Sequence, residues 1–313
     1  MRVVISEFMD EGAVASLAAL HDTHYDQGLV DRPDELRQRL APADALIVRN
    51  RTQVGAALLD AAPRLRVVGR LGVGLDNIDV EACRARRIDV IPATGANAQA
   101  VAEYVIGAAM LLLRGAYMAS AEVASGGWPR AALSAGREIG GKTLGIVGFG
   151  SIGRCVARLG RASGMRCIGC DAGLADAAPE WDEHGVAPRA LAVLLAEADV
   201  VTLHVPLVAA TRNLIDAARL AQMRPGAILI NTARGGVVDE AAVARALRSG
   251  HLGGAALDVF AQEPLPAGTP LAGCPNLLLT PHIAGVTAES NVRVSTMIAE
   301  QVAAALGGPR GAG

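Results

Sequence analysis

Three apolar, strand-like runs in the last third of the chain end in residues that can do chemistry. Ile230-Asn231-Thr232-Ala233-Arg234-Gly235-Gly236 ends in a guanidinium beside two glycines. Leu257-Asp258-Val-Phe-Ala-Gln-Glu263-Pro264 ends in carboxylates, and Leu279-Thr280-Pro281-His282-Ile283-Ala284-Gly285 in an imidazole. An imidazole exchanges protons near neutral pH and serves as general acid or base. A neighbouring carboxylate orients it, and an arginine grips a planar carboxylate through two parallel hydrogen bonds without losing its charge. Together these groups suit the oxidation of a 2-hydroxy acid, in which a base takes the hydroxyl proton as hydride leaves C2. Singly, each has an ordinary explanation as a capping arginine, a solvated glutamate or a core histidine. Their recurrence at successive strand ends, the edge where open α/β sheets bind ligands, points to a site.

A departing hydride needs an acceptor. Gly148-Phe149-Gly150-Ser151-Ile152-Gly153 follows an apolar run and opens a helical one. In a strand-turn-helix of this kind the first glycine permits a tight turn and the second lets backbone approach a pyrophosphate. The third lets helix and strand pack closely, and the helix N-terminus supplies free N–H groups for phosphate. Asp171 stands at the end of the next apolar run, with no Arg or Lys in the Ala172-Gly173-Leu174 that follows. A carboxylate there accepts hydrogen bonds from a ribose 2′-hydroxyl and repels a 2′-phosphate, so NAD is expected rather than NADP.

The elements that must position these groups form two series. Residues 143–147, 165–170, 200–205, 227–231, 255–259 and 277–280 read as strands separated by helix-length intervals. Earlier, residues 3–5, 45–48, 67–69 and 88–91 read as strands alternating with helical stretches at 10–20 and 79–87. Strands alternating with helices imply parallel sheets, so an α/β fold of two doubly wound domains is expected. A helix-period stretch at 98–118, followed by an irregular Gly/Ser/Pro segment, marks the crossing between them, and 287–306 reads as one helix that returns to the first domain. The domains are therefore expected at 1–97 with 286–313, and at 98–285, with a frayed glycine-rich tail from Gly307.

Composition narrows the partners. A chain of 313 residues with 51% hydrophobic and 19% charged residues is globular and long enough for two cores. The net charge of −2, without like-charge runs, gives no footprint for nucleic acid or an anionic membrane. The chain opens directly on a strand-like Met1-Arg-Val-Val-Ile5 without a secretory core, and its longest apolar run, 104–113, is closed by Glu103 and Arg114. Roughly 20 residues are needed to span a bilayer, so a cytoplasmic protein acting on a small molecule is expected. Five scattered cysteines do not form a disulfide framework. Cys167 and Cys170 lie three apart in a strand and point to opposite faces, so no metal site is expected.

The motifs at Gly148–Gly153, Thr232-Ala-Arg-Gly235, Asp258-Val-Phe-x-x-Glu-Pro264 and Thr280-Pro-His-Ile-Ala-Gly285 resemble, in combination, the D-isomer-specific 2-hydroxyacid dehydrogenases. The resemblance implies a Rossmann-like nucleotide-binding domain beside a flavodoxin-like substrate domain. It also implies that Arg234 binds the substrate carboxylate and carbonyl, Glu263 holds His282, and His282 is the acid/base. Cofactor contacts are implied at Gly148, Gly150, Ser151, Ile152, Gly153, Asp171, Val205, Pro206, Thr211, Ala233, Asp258, His282 and Gly285, and a homodimer is implied. Glu263 stands where the similar formate dehydrogenases carry Gln, which sets that branch aside. Ala100 replaces a Ser or Thr common among relatives.

Charge in the first domain bears on the substrate. Val48-Arg49-Asn50-Arg51-Thr52 and Gly69-Arg70-Leu71-Gly72-Val73-Gly74 follow strand-like runs. Backbone N–H groups around Val73 and Gly74 could meet a carboxylate, while Arg49, Arg51 and Arg70 could meet a second anion or face solvent. These loops resemble the phosphoglycerate dehydrogenase branch, and Ile5-Ser-Glu-Phe-Met-Asp-Glu11 with Val48-Arg-Asn-Arg-Thr-Gln53 resembles the (S)-sulfolactate dehydrogenases, without the regulatory extension expected of the longer phosphoglycerate enzymes. A dianionic 2-hydroxy acid is expected, 3-sulfolactate and 3-phosphoglycerate ranking equally, with hydroxypyruvate or glyoxylate as simpler substrates. A rival expectation is an NAD(H)-sensing, corepressor-like binding protein, since such proteins share the fold and the three residues.

Overall fold

The computed structural model describes residues 1–307, and the chain divides into two compact units: Met1–Asn97 with the segment from Val286, and Ala98–Gly285. The remainder of the glycine-rich tail lies outside the described residues; Gly307 itself closes the last helix.

In the first unit, strands β1 (Arg2–Ile5), β2 (Asp22–Tyr25), β3 (Ala45–Val48), β4 (Val67–Arg70) and β5 (Asp89–Pro92) form one parallel sheet in the order β2-β1-β3-β4-β5. That is the flavodoxin-like order. Alternate residues of the central strands fill opposite cores: Val3, Ile5, Ala45 and Ile47 pack on one side, Val4, Leu46 and Val48 on the other. Burial on both faces is why these strands read as continuous apolar runs. The C-terminal helix Ala288–Gly307 covers the first side with Val294, Ile298, Val302 and Leu306. It sits so close that a Cβ on Gly69 would come within 2.8 Å of Ile298 and Val302.

The second unit holds β6 (Thr143–Val147), β7 (Arg166–Cys170), β8 (Val186–Pro188), β9 (Val200–Leu203), β10 (Ala227–Asn231), β11 (Leu252–Leu257) and β12 (Leu277–Leu279). They lie parallel in the order β12-β11-β10-β9-β6-β7-β8, a Rossmann order extended by one strand. Strand order reverses between β6 and β9, which opens a crevice at their C-terminal ends. Cys167 belongs to the core on one face of this sheet and Cys170 packs against the core on the other. Burial pushes the Cys167 thiol up to about 11. Among the described residues no three His, Cys, Asp or Glu side chains are grouped to hold a metal.

Three elements differ from expectation. Strands β2 and β8 were not anticipated: both lie at sheet edges, β2 is the polar Asp-Thr-His-Tyr, and β8 ends in Pro188. Edge position alone does not hide a strand, since β5 and β12 are also edges and are expected; β2 is too polar to give an apolar run, and β8, at three residues, is too short. The helix expected over 98–118 stops at Arg114, because Gly115 takes a left-handed φ of 68° and a 3₁₀ turn, Ala116–Ala119, follows. No single helix among the described residues is long and apolar enough to cross a membrane; Ala98–Arg114 and Ala116–Ala124 pass that test only as a pair bent by 73°.

Candidate active site

The glycine turn after β6 is shaped by backbone contact. Gly148 has φ +94°, and a Cβ there would lie 2.5 Å from the His204 carbonyl; one on Gly153 would lie 2.2 Å from the Gly148 carbonyl. A Cβ on Gly150 would meet nothing within 4 Å, so the second glycine faces open space. No side chain caps the helix Ser151–Ala162 that starts there, and its first N–H groups remain for a ligand. Phe149 turns inward to stack on Trp181 at 4.4 Å, and its N–H donates to Asp171 Oδ2 at 2.6 Å. Gly173 N–H donates to Asp171 Oδ1 at 2.8 Å. Each Asp171 oxygen thus keeps a lone pair for a further donor.

Across the crevice, His204 and Thr232 stand one residue beyond the paired Leu203 and Asn231 of β9 and β10. His204 Nε2 lies 3.0 Å from Thr202 Oγ1, whereas His204 Nδ1 and Thr232 Oγ1 are buried without a hydrogen-bond partner. Burial pushes the His204 ring down to about 3, which keeps it neutral. Orphaned polar atoms beside an open glycine turn and a carboxylate with spare lone pairs fit a dinucleotide. Thr211 closes the adjacent Val205-Pro206 loop, its hydroxyl donating to Pro206 O at 2.5 Å and accepting from Val208 N–H at 2.8 Å.

Arg234, Glu263 and His282 come from the loops after β10, β11 and β12. Glu263 Oε2 lies 2.8 Å from His282 Nδ1, and Glu263 Oε1 accepts Phe260 N–H at 2.9 Å. The carboxylate is thereby fixed at one oxygen and orients the imidazole with the other. His282 has a left-handed φ of 54°, uncommon for a residue with a side chain, and its N–H is held by the Asp258 carbonyl at 2.8 Å. Arg234 is half-buried and its Nη1 donates to Ala233 O at 2.7 Å. Asn231, which sequence reasoning did not single out, and Gly235, one of the two glycines beside the arginine, shape its loop. The Asn231 side chain accepts Ala233 N–H at 3.0 Å and donates to Arg234 O at 3.1 Å, a local clamp typical of Asn in turns. A Cβ on Gly235 would sit 1.7 Å from Phe260 O. This glycine lets the arginine loop press against the backbone that anchors Glu263.

In the first unit the carboxylate of Glu7, just past β1 and only 4% exposed, accepts four N–H groups. They belong to Arg49, Asn50, Arg51 and Thr52, at 2.9 to 3.2 Å. Burial alone would raise the Glu7 pKa, but these hydrogen bonds outweigh it and hold the carboxyl below its ordinary value. Its only sequence signal is a charge directly after a buried strand. Arg49 reaches Asn291 Oδ1 at 2.9 Å and lies 5.7 Å from the Phe8 ring centroid. Arg51 points to the surface and pairs with Asp31, so its guanidinium is engaged outside the loop. The Arg70 side chain lies across Gly72, where a Cβ would fall 1.5 Å from Nη1, and donates to Leu71 O at 3.2 Å. Val73 and Gly74 follow half-buried.

Since a depressed carboxyl stabilises the fold above its unfolded pKa and loses that contribution as pH falls through the folded value, Glu7→Gln should be about 2 kcal/mol less stable near neutrality. Its deficit should shrink in acid. Thermal unfolding at several pH values reads this, and a pH-independent deficit would show that the charge contributes nothing.

Residues 106–284, more than half of the chain, match the sequence family described as "D-isomer specific 2-hydroxyacid dehydrogenase, NAD binding domain". The chain is 53% identical over 305 residues to an (S)-sulfolactate dehydrogenase of Chromohalobacter salexigens, covering 97% of this chain and 98% of that protein. It is 42% identical over 308 residues to a D-3-phosphoglycerate dehydrogenase of Mycobacterium leprae, covering 98% of this chain but only 57% of that longer protein. A crystal structure of D-lactate dehydrogenase from Aquifex aeolicus, complexed with NAD and lactic acid, superposes with a TM-score of 0.80 at 28% identity, covering 96% of this chain and 94% of that one. All three are named as dehydrogenases, which leaves the nucleotide-sensing alternative without support. This chain therefore belongs to the D-isomer specific 2-hydroxyacid dehydrogenase family, as an NAD-dependent enzyme that interconverts a 2-hydroxy acid and its 2-keto acid.

Proposed function

We propose that His282 is the acid/base, Glu263 its orienting partner and Arg234 the carboxylate clamp, and that the substrate is a 2-hydroxy acid with a second anionic group, 3-sulfolactate first. The Glu263–His282 contact at 2.8 Å is the observation that carries the mechanism, because it leaves Nε2 as the nitrogen available for a substrate proton. Arg234 holds the carboxylate, which orients the hydroxyl toward His282 Nε2. The imidazole takes the hydroxyl proton during oxidation and returns it to the carbonyl oxygen during reduction. Bound NAD supplies the hydride acceptor. The turn at Gly148, Gly150, Ser151, Ile152 and Gly153 would hold its pyrophosphate and Asp171 its ribose, with Val205, Pro206, Thr211, Ala233, Asp258 and Gly285 as further contacts. Free N–H groups, open space at Gly150 and the orphaned atoms of His204 and Thr232 support that assignment.

The second anion is assigned to Arg49, Arg51 and Arg70, with Val73 and Gly74 offering backbone donors. Three cationic side chains at the ends of two adjacent parallel strands, β3 and β4, support a dianion better than a plain hydroxy acid. The similarity to a sulfolactate dehydrogenase over the full length of both chains favours sulfonate over phosphate. Stereochemistry agrees: sulfur on C3 outranks the carboxylate, so the spatial arrangement of D-lactate is described as S in 3-sulfolactate. Arg51 exchanges a surface pair, worth at most about 1 kcal/mol, for the anion. Arg51→Ala should thus raise KM for sulfolactate about tenfold while moving KM for lactate less than twofold. The test is a panel of purified-enzyme assays following NADH absorbance. Equal or better turnover of lactate or glycerate, or equal KM effects of Arg51→Ala, would sink the dianion reading.

The same proposal includes a cytoplasmic homodimer built on the second unit. Its support is the exposure of four large apolar side chains within twelve residues of the chain, Tyr117, Met118, Val123 and Trp128, the last 76% exposed.

A further inference from the structure

A directed chain of hydrogen bonds in the second unit ends on the turn that carries His282. The helix Ala98–Arg114 carries Tyr104, whose hydroxyl lies 2.6 Å from Thr280 Oγ1. Thr280 Oγ1 in turn donates to Asp258 Oδ1 at 2.6 Å. A threonine hydroxyl has one proton and an ionised carboxylate only accepts, so the proton in the first contact must come from tyrosine. The chain therefore runs from Tyr104 to Thr280 to Asp258. Burial raises the Tyr104 phenol above its ordinary value, only partly offset by Thr280, and so keeps it a neutral donor.

Asp258 is 1% exposed and organises the following loop. Its Oδ1 also accepts Ile283 N–H at 2.9 Å, its Oδ2 accepts Ala284 N–H at 2.9 Å, and its carbonyl accepts His282 N–H at 2.8 Å. All three successive N–H groups from His282 to Ala284 thus end on this one residue. A left-handed φ at a histidine persists only where surrounding structure over-determines it, and Asp258 supplies that structure. Register explains how the chain forms: Leu257 of β11 pairs with Leu279 of β12, so Asp258 and Thr280 emerge side by side one residue later.

We propose that Tyr104 and Thr280 are positioning residues for the reaction, acting on His282 through Asp258. The proposal rests on the reading of His282 as the acid/base. A proton acceptor must sit within hydrogen-bond reach of the proton it takes, and displacement by about 1 Å can cost on the order of 10²-fold in rate. Loosening one anchor of Asp258 should move the imidazole by less, and the loss should fall on kcat.

Thr280→Val removes the hydroxyl at constant shape, and Tyr104→Phe removes the tyrosine hydroxyl while keeping its ring. With the best substrate of the panel, Thr280→Val should lower kcat about tenfold and Tyr104→Phe about threefold, with KM for substrate and NAD within about twofold. Thr280→Ser should restore most of the rate. In the Thr280→Val background, Tyr104→Phe should add nothing, because its path runs through the missing hydroxyl. Wild-type kcat in Thr280→Val with only a lower Tm, or multiplicative effects in the double variant, would overturn the proposal. Should Thr280→Val fold poorly, Tyr104→Phe against wild type decides alone: unchanged kcat refutes it. His282→Asn measured alongside separates the two ideas. If it is inactive while Thr280→Val and Tyr104→Phe retain wild-type kcat, positioning fails alone; if it retains turnover, the acid/base reading fails.

Discussion

Replacing His282 by alanine is expected to lower kcat by about 10²–10⁴-fold, the usual contribution of a positioned general acid or base, while NADH binding persists. The fold should tolerate the change, because the main chain at this position is held by Asp258 and Thr280 through backbone groups that alanine retains. Asparagine is the better control, since it adopts the left-handed backbone of His282 readily but cannot act as a base near neutral pH. Binding can be followed apart from turnover by quenching of tryptophan emission, because Trp181 stacks on Phe149 of the glycine turn. A His282→Asn variant with kcat within tenfold of wild type would remove the imidazole from the mechanism. Loss of NADH binding together with kcat would make His282 a cofactor contact first.

Arg234→Lys should be nearly as damaging although the charge is kept. Lysine offers a point charge where two parallel hydrogen bonds from a planar fork are required. Each hydrogen bond to a charged group contributes about 1.5–3 kcal/mol, and loss of one or both predicts a fall in kcat/KM of about 10–10⁴-fold. The neighbouring loop makes the site unforgiving: Asn231 grips the main chain on both sides of Ala233 and Arg234, and Gly235 touches Phe260, so the backbone cannot shift to bring a shorter group into place. The loss should appear equally for mono- and dianionic substrates, in contrast to Arg51→Ala. An Arg234→Lys enzyme within threefold of wild type in kcat/KM would mean that a different residue holds the carboxylate.

Much of this was legible in the sequence because chemistry and architecture coincide at strand ends. The glycine spacing at Gly148–Gly153 and the apolar runs before Arg234, Asp258 and His282 are local signals, and parallel packing carries them to one edge of one sheet. What was not legible depends on long-range contact. Glu7 and the loop it holds are some 40 residues apart in the chain, and nothing near Glu7 announces that four N–H groups will close on its carboxylate. Tyr104 reads as one more member of an apolar helix until β12 places Thr280 beside it. Strand β2 carries the polar run Asp-Thr-His-Tyr, and β8 is only three residues long, so neither gives a readable apolar run. The break at Gly115 was hidden inside an unbroken helical periodicity, since a left-handed glycine changes direction without changing the hydrophobic pattern. The arginines show the same limit: the sequence places Arg51 beside Arg49, but not that Asp31 engages it.

In the proposed mechanism hydride leaves C2 of a dianionic 2-hydroxy acid while His282 takes the hydroxyl proton. This mechanism is tested most directly by oxidising (S)-3-sulfolactate deuterated at C2 and analysing the NADH formed by mass spectrometry. One deuterium is expected in the NADH formed by the wild-type enzyme, and negligible NADH from His282→Asn under the same conditions. NADH free of deuterium, or equal deuterium transfer by the two enzymes, would contradict the mechanism.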